Sequence, residues 1–273
     1  YDLPKDGNPK YSIAFKHNSN SIITKVKDIE WNVSKHGILI PTIIFNEIKL
    51  ASSKVSRSTG FNGSFIFNNS LGPGALIEVV LSGDVIPYIG KIIEQANIPK
   101  MSDIPYTWTE SKIHCKIIDD SSDLTIKKIV YFIKLIGIEN ISIGLVKHLY
   151  ANGFTTLKKV LLISKDDLLK LDRIEEKMAN KIRNNIDSKI NVPIKMELLM
   201  DASLCFGNGF GGKRCMQLVN KYPDFLDVNP SDNQLQILDG WSSKSIDKFK
   251  LGKYTKNYQK CNNCVCKYYK NGK

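Results

Sequence analysis

The residues best suited to chemistry are glycines set beside lysine. Gly209-Phe210-Gly211-Gly212-Lys213-Arg214 is the densest example. Glycine reaches backbone conformations closed to other residues, so such a turn can aim successive N–H groups outward. A helix starting there adds the positive end of its dipole. Lys213 and Arg214 add full charges. The set can hold a phosphate without reading a base. Gly240-Trp241-Ser242-Ser243-Lys244 is a weaker version, with Ser243 and Lys244 as contacts. Gly137–Gly153 shares the cadence but has Asn140 and Ser142 where glycines are expected. In Leu168–Ile186, Ile174 and two glutamates follow Arg173, and that acidic turn would repel phosphate, so it reads as scaffold. Four copies at intervals of roughly 30 to 40 residues make an internal repeat.

The elements that must carry these turns are helical. Ile126, Ile129, Val130, Ile133 and Ile136 recur at i, i+3, i+4, and the pattern predicts helices from Leu124 onward. The first hundred residues are β-rich instead. Strands are expected near Ile22–Trp31, Ile38–Glu47, Ile66–Phe67 with Ile77–Leu81, and Val85–Ile92. Short strands with Gly and Pro turns suggest a small closed barrel of the OB type. The expected fold is therefore mixed, an N-terminal all-β OB-fold barrel followed by an all-α domain of tandem helical hairpins. Such barrels bind nucleic acid on one face and its loops. That nominates Lys35, Lys54, Ser56 and Arg57, and the turn Gly83, Asp84, Val85 and Ile86 inside VVLSGDVIP.

Charge points the same way. Lysine and arginine number 39 against 27 acids, a net charge of +12 in 273 residues. A basic chain suits a polyanion, although an AT-rich genome also enriches lysine. From Lys248 to the end there are eight Lys and no acid, a solvated cationic arm. The closing CNNCVC offers three thiolates, Cys261, Cys264 and Cys266, one short of a closed zinc site. It reads as a tail with free thiols, or as a metal site if a fourth ligand comes from elsewhere. No apolar run approaches the roughly 18 residues of a membrane span. No signal peptide, Walker A stretch or nucleophilic triad is legible, and the expected location is the cytoplasm, or the host cytoplasm or nucleoid for a viral chain.

Four stretches taken in order carry a resemblance: YSIAFK (Tyr11–Lys16), VSKHGILIP (Val33–Pro41), VSRSTGFN (Val55–Asn62) and SGDVIP (Ser82–Pro87). As a set they resemble the junction between the nucleotidyltransferase domain and the OB fold of the NAD-dependent DNA ligases, with its AYKF-type strand, VGRTG…TP, VSRATLHN and AGDVIP. The four helical copies resemble that family's tandem helix-hairpin-helix domain. The resemblance implies residues 1–20 as the last strand of the nucleotidyltransferase domain, 21–98 as the OB fold, 99–123 as a linker, 124–252 as the helix-hairpin-helix domain and 253–273 as a basic Cys-containing tail.

The resemblance also implies roles. Lys16 would touch the adenylate phosphate, as both a catalytic and a cofactor-binding residue. Lys35, the second residue expected to be catalytic, stands in place of the family's Arg in VGRTG, keeping the charge but losing the fork. Leu81–Ser82 stand where the family has an Arg before AGDVIP. Residues 97–123 hold only His114 and Cys115, so no zinc module is expected there. The family seals nicks in duplex DNA with NAD and a divalent metal, usually magnesium. This chain shows neither the lysine nucleophile nor the nicotinamide-binding domain. It would therefore be a C-terminal part or subunit, viral or phage split enzymes included, that meets nicked duplex DNA and needs a companion adenylation-domain polypeptide. The alternatives are a non-catalytic DNA-binding protein and a structural adaptor.

Overall fold

The computed structural model describes residues 21–50, 53–82, 86–119, 121–225, 227–254 and 268–269. Contacts divide them into two units. One holds the residues up to 119 apart from Ser34–Gly37, and the other holds Ser34–Gly37 and the rest.

The first unit is an antiparallel sheet. Its strands are β1 (Ile22–Val33), β2 (Ile38–Leu50), β3 (Ser53–Thr59), β4 (Leu76–Ser82), β5 (Ile86–Glu94), β6 (Tyr106–Trp108) and β7 (Cys115–Ile117). Strand β1 pairs with both β2 and β4, β2 also pairs with β3, and β4 with β5. The Ser58 hydroxyl donates to the Pro87 carbonyl at 3.0 Å, bringing β3 to β5. This order is consistent with an OB fold. Alternation puts Val26, Ile29, Ile43, Phe45, Ile77, Val79 and Leu81 in one core.

Two expectations change here. Ile66 and Phe67 are not strand residues but lie in helix α1 (Gly63–Asn68). Asn62 explains it, since its side chain accepts from the Phe65 N–H and starts the helix against the β-propensity of an aromatic run. Strand β3 occupies the preceding VSRST instead. Residues 99–123, expected as a linker, contain the β6–β7 hairpin. Strand β7 joins the sheet by pairing Ile38 with Lys116 and Leu39 with Cys115. Burial of the Cys115 side chain fastens it and pushes the thiol pKa up to about 11.

The second unit runs α2 (Ser122–Leu135), α3 (Ile143–Ala151), α4 (Leu157–Leu161), α5 (Lys165–Leu169), α6 (Glu176–Ile190), β8 (Ile194–Lys195), α7 (Met196–Ser203), α8 (Gly212–Lys221), α9 (Asp232–Gln236), α10 (Ser243–Tyr254) and β9 (Tyr268–Tyr269). It is not purely helical, because β8 and β9 form a two-residue parallel ladder. Side-chain caps start many helices: Ser121, Ser142, Thr156, Ser164 and Ser231 each accept an N–H from the first turn. Two apolar clusters form. One gathers α2 to α6 with β8 and one side of α7, from Ile126 to Ala202; the other gathers the rest of α7 with α8 to α10 around Phe206, Phe210, Trp241 and Phe249. No helix among the described residues is long and apolar enough to cross a membrane.

Helix α10 passes close to residues 205–206. A Cβ on Gly252 would collide with the Phe206 ring and stand 3.0 Å from the Cys205 carbonyl oxygen. Gly252→Ala is therefore expected to lower stability by about 1–3 kcal/mol, as overpacking does. Chemical denaturation checks this, and an unchanged midpoint would mean that α10 has room to move.

Candidate nucleic-acid interface

Four turns of the second unit repeat one conformation. Asn140, Arg173, Gly209 and Gly240 have φ of 62°, 64°, 83° and 73°. A buried apolar side chain follows each: Ile141, Ile174, Phe210 and Trp241. Then come Ser142, Glu175, Gly211 and Ser242, immediately before α3, α6, α8 and α10. The left-handed residue reverses the chain, the apolar residue anchors it, and the helix start is left at the surface. Phe210 and Trp241 meet edge to face with centroids 5.2 Å apart, so the third and fourth turns share one anchor.

What each helix start can offer differs. Ser142 spends its hydroxyl on the Leu145 N–H at 3.2 Å. Gly211 brings no side-chain cap to α8, and no acid lies in that first turn. Its uncapped N–H groups and Lys213 leave positive charge at this helix start, where helix dipoles favour an anion. Asp201 lies close by, with one carboxylate oxygen 3.1 Å from where a Cβ on Gly212 would be. Glu175 likewise gives α6 no side-chain cap, and the Glu176 carboxylate accepts from Lys165 Nζ at 2.8 Å.

Lys177, Lys213 and Lys244 are exposed and occupy the same place, the second residue of α6, α8 and α10. Ser243 is the exposed residue before Lys244. Lys213 Nζ lies 3.5 Å from an Asp239 oxygen, both side chains largely exposed. Such a pair is weak and yields readily to a phosphate. Arg214 is used differently. Its guanidinium donates to the carbonyls of Gly209 and Gly240, the second at 3.0 Å, and so ties the third turn to the fourth. Lys248 Nζ adds a bond to the Asn208 carbonyl at 2.6 Å.

Between the first and second turns lies a cleft of about 700 Å³, lined by Asn140, Ser142, Arg173, Glu175, Lys177 and Lys181 among others, three cations and one acid. Sequence reasoning missed Lys177 and Lys181. The signal that could have found them is the shared position of Lys177, Lys213 and Lys244; the neighbouring glutamates outweighed it.

Lys35 groups with the helical unit. Its Nζ stands 3.3 Å over the centroid of the Tyr131 ring, and the Tyr131 hydroxyl donates to Asp201 at 2.7 Å. Loss of hydration lowers the Lys35 pKa, partly countered by Asp201. In the first unit Lys54 pairs with Glu47 at 2.8 Å, and Arg57 holds both oxygens of Glu30 at 2.7 Å. Both pairs are exposed. Ser56 is half-buried on β3 and Ile86 is exposed at the start of β5. Lys16, Gly83, Asp84, Val85 and the tail cysteines lie outside the described residues. Among the described residues no three His, Cys, Asp or Glu side chains cluster as metal ligands would.

Residues 23–101 match the family model of the NAD-dependent DNA ligase OB-fold domain. A protein named DNA ligase from Acanthamoeba polyphaga mimivirus is 37% identical over 262 residues, 93% of this chain and 41% of its own length. The chain belongs to the NAD-dependent DNA ligase family. Putative DNA ligase 205R of Invertebrate iridescent virus 6 is 31% identical over 90% of this chain and 39% of its own length. DNA ligase 1 of Clostridium acetobutylicum is 30% identical over 66% of this chain and 29% of its own. The chain thus spans about two fifths of the length of these two viral relatives.

The two carbonyl bonds of Arg214 lead to a prediction. Arg214→Ala should lower stability by about 1 kcal/mol, since each bond carries a charged donor but is exposed. Unfolding in urea measures it. A side chain held only by bound DNA would leave the urea midpoint where it was.

Proposed function

We propose that this chain supplies the DNA-holding part of a ligase that seals nicks in duplex DNA, and that its four turns are helix-hairpin-helix elements. The observation that carries this reading is the start of α8. An uncapped Gly211 follows a left-handed Gly209, Lys213 stands in the first turn, and no acid lies in that turn. These groups bind the phosphate backbone irrespective of sequence, as a ligase must. Gly209, Gly211, Gly212 and Lys213 act at the third turn, Ser243 and Lys244 at the fourth, and Arg173, Lys177 and Lys181 at the cleft of the second. On the sheet, Lys54, Ser56 and Arg57 meet DNA phosphates once these compete with Glu47 and Glu30. Arg214 acts mainly by holding two turns in register.

NAD and magnesium are what the family's chemistry uses. The described residues fit neither, with no carboxylate cluster for the metal and Lys16 outside them, so no chemical step is assigned to them. The adenylation chemistry belongs to a companion polypeptide or to further sequence of the same protein. A second reading, a DNA-binding protein without catalytic contribution, draws on Leu81. Where the family has an Arg, this residue is buried in the first unit's core and offers no cation.

Two measurements test the proposal. Lys213→Ala with Lys244→Ala should weaken duplex binding and reduce the slope of log K against log salt by about 0.9 for each phosphate no longer neutralised. Fluorescence anisotropy from low to physiological salt reads this; an identical slope places the phosphate-binding groups elsewhere. Mixing the chain with a ligase adenylation domain should raise sealing of a nicked duplex above that domain alone. Binding without any gain in sealing favours the second reading.

A further inference from the structure

A separate cavity of about 520 Å³ lies in the first unit, where α1 meets the β6–β7 hairpin. Its lining is Ser64, Phe67 and Asn68 from α1, and Trp108, Ser111, Lys112 and Ile113 from the hairpin. The Phe67 and Trp108 rings meet edge to face, centroids 6.0 Å apart and planes at 74°. Phe67 is 55% exposed and Ile113 44%, so apolar surface faces the cavity rather than a core.

We propose that this cavity takes one unpaired nucleobase of a DNA strand beside the nick, a proposal resting on the reading above that the chain binds DNA. The chemistry of the walls selects the occupant. Two rings at a right angle give a flat heteroaromatic group one surface to stack on and another to meet edge-on. Apart from Lys112, the rim is neutral and hydrogen-bonding. The Asn68 amide gives one N–H to the Ser64 hydroxyl at 2.9 Å, and an amide keeps an acceptor and a second N–H for a base edge. Ser111 adds a hydroxyl. The one charged lining residue is Lys112, a cation, which suits the phosphate attached to the base. Glu110 is in the same hairpin but is not part of the lining. A volume within the usual range for small-ligand sites accommodates a base.

The test compares two labelled nicked duplexes with the full chain: one fully paired, one bearing a short unpaired thymidine flap with a single 2-aminopurine. The chain should bind the flapped duplex tighter, by about 5- to 100-fold for one stacked base, and quench the 2-aminopurine. Phe67→Ala should remove both effects while leaving affinity for the paired duplex unchanged. Lys112→Gly should reduce the preference, and this variant folds because Lys112 already has φ of 53°, where glycine is at ease. Equal affinity of the wild-type chain for the two duplexes, or a preference that survives both substitutions, overturns the base site. Failure to bind either duplex overturns the DNA-binding reading itself, and the base site with it.

Discussion

A left-handed residue followed by a buried apolar one is the constraint on which the helical unit rests. The reversal places a helix start at the surface, and the anchor keeps it there. Glycine fills the reversal at 209 and 240, but asparagine and arginine fill it at 140 and 173. A side-chain-bearing residue in that conformation costs about 1–2 kcal/mol. The chain tolerates the cost because Ile141 and Ile174 are buried in the first apolar cluster, which opposes any relaxation of the turn. Conformation, rather than glycine itself, is what repeats.

The sequence made the turns visible through their glycines and hid them where other residues stand. The third copy could be read from Gly209 to Lys213, whereas the second reads as scaffold because of Glu175 and Glu176. In the structure Glu176 is engaged by Lys165, and Lys177 and Lys181 border the cleft beside Glu175, so one of the two acids stays with the cations. A linear reading weighs charges by proximity along the chain, but a helix separates neighbours by face. The same limit explains α1, where a single Asn62 cap decided between strand and helix. It also explains residues 99–123. Three-residue strands carry too little alternation to be seen, and β7 is stabilised by pairing with β2, far away in sequence.

The sheet carries its cations in a different state from the helical turns. Lys54 is held by Glu47 on the adjacent strand β2 at 2.8 Å, and Arg57 by Glu30 on β1, one strand further across, at 2.7 Å. Exposed pairs of this kind contribute about 0–1 kcal/mol, so exchanging a carboxylate for a phosphate costs little. They orient the side chains in the absence of a polyanion without trapping them. At the third turn the order is backbone first, with N–H groups of α8 uncapped and Lys213 loosely paired.

The division between lysine and arginine supports one physical account of the basic composition. The chain has only four arginines, Arg57, Arg173, Arg183 and Arg214. Three use the planar fork within the protein. Arg57 grips Glu30, Arg183 spans Asp187 and the carbonyls of Leu161 and Ile163, and Arg214 spans two turns. A guanidinium offers five donors in fixed directions, which suits joining carbonyls of separate segments. Lysine is a compact charge on a flexible stem and does not demand one geometry. A part that holds DNA of any sequence, as proposed for this chain, needs neutralising charge without directional readout. Lys177, Lys213 and Lys244, each in the first turn of its helix, meet that need, while arginine holds the scaffold that presents them.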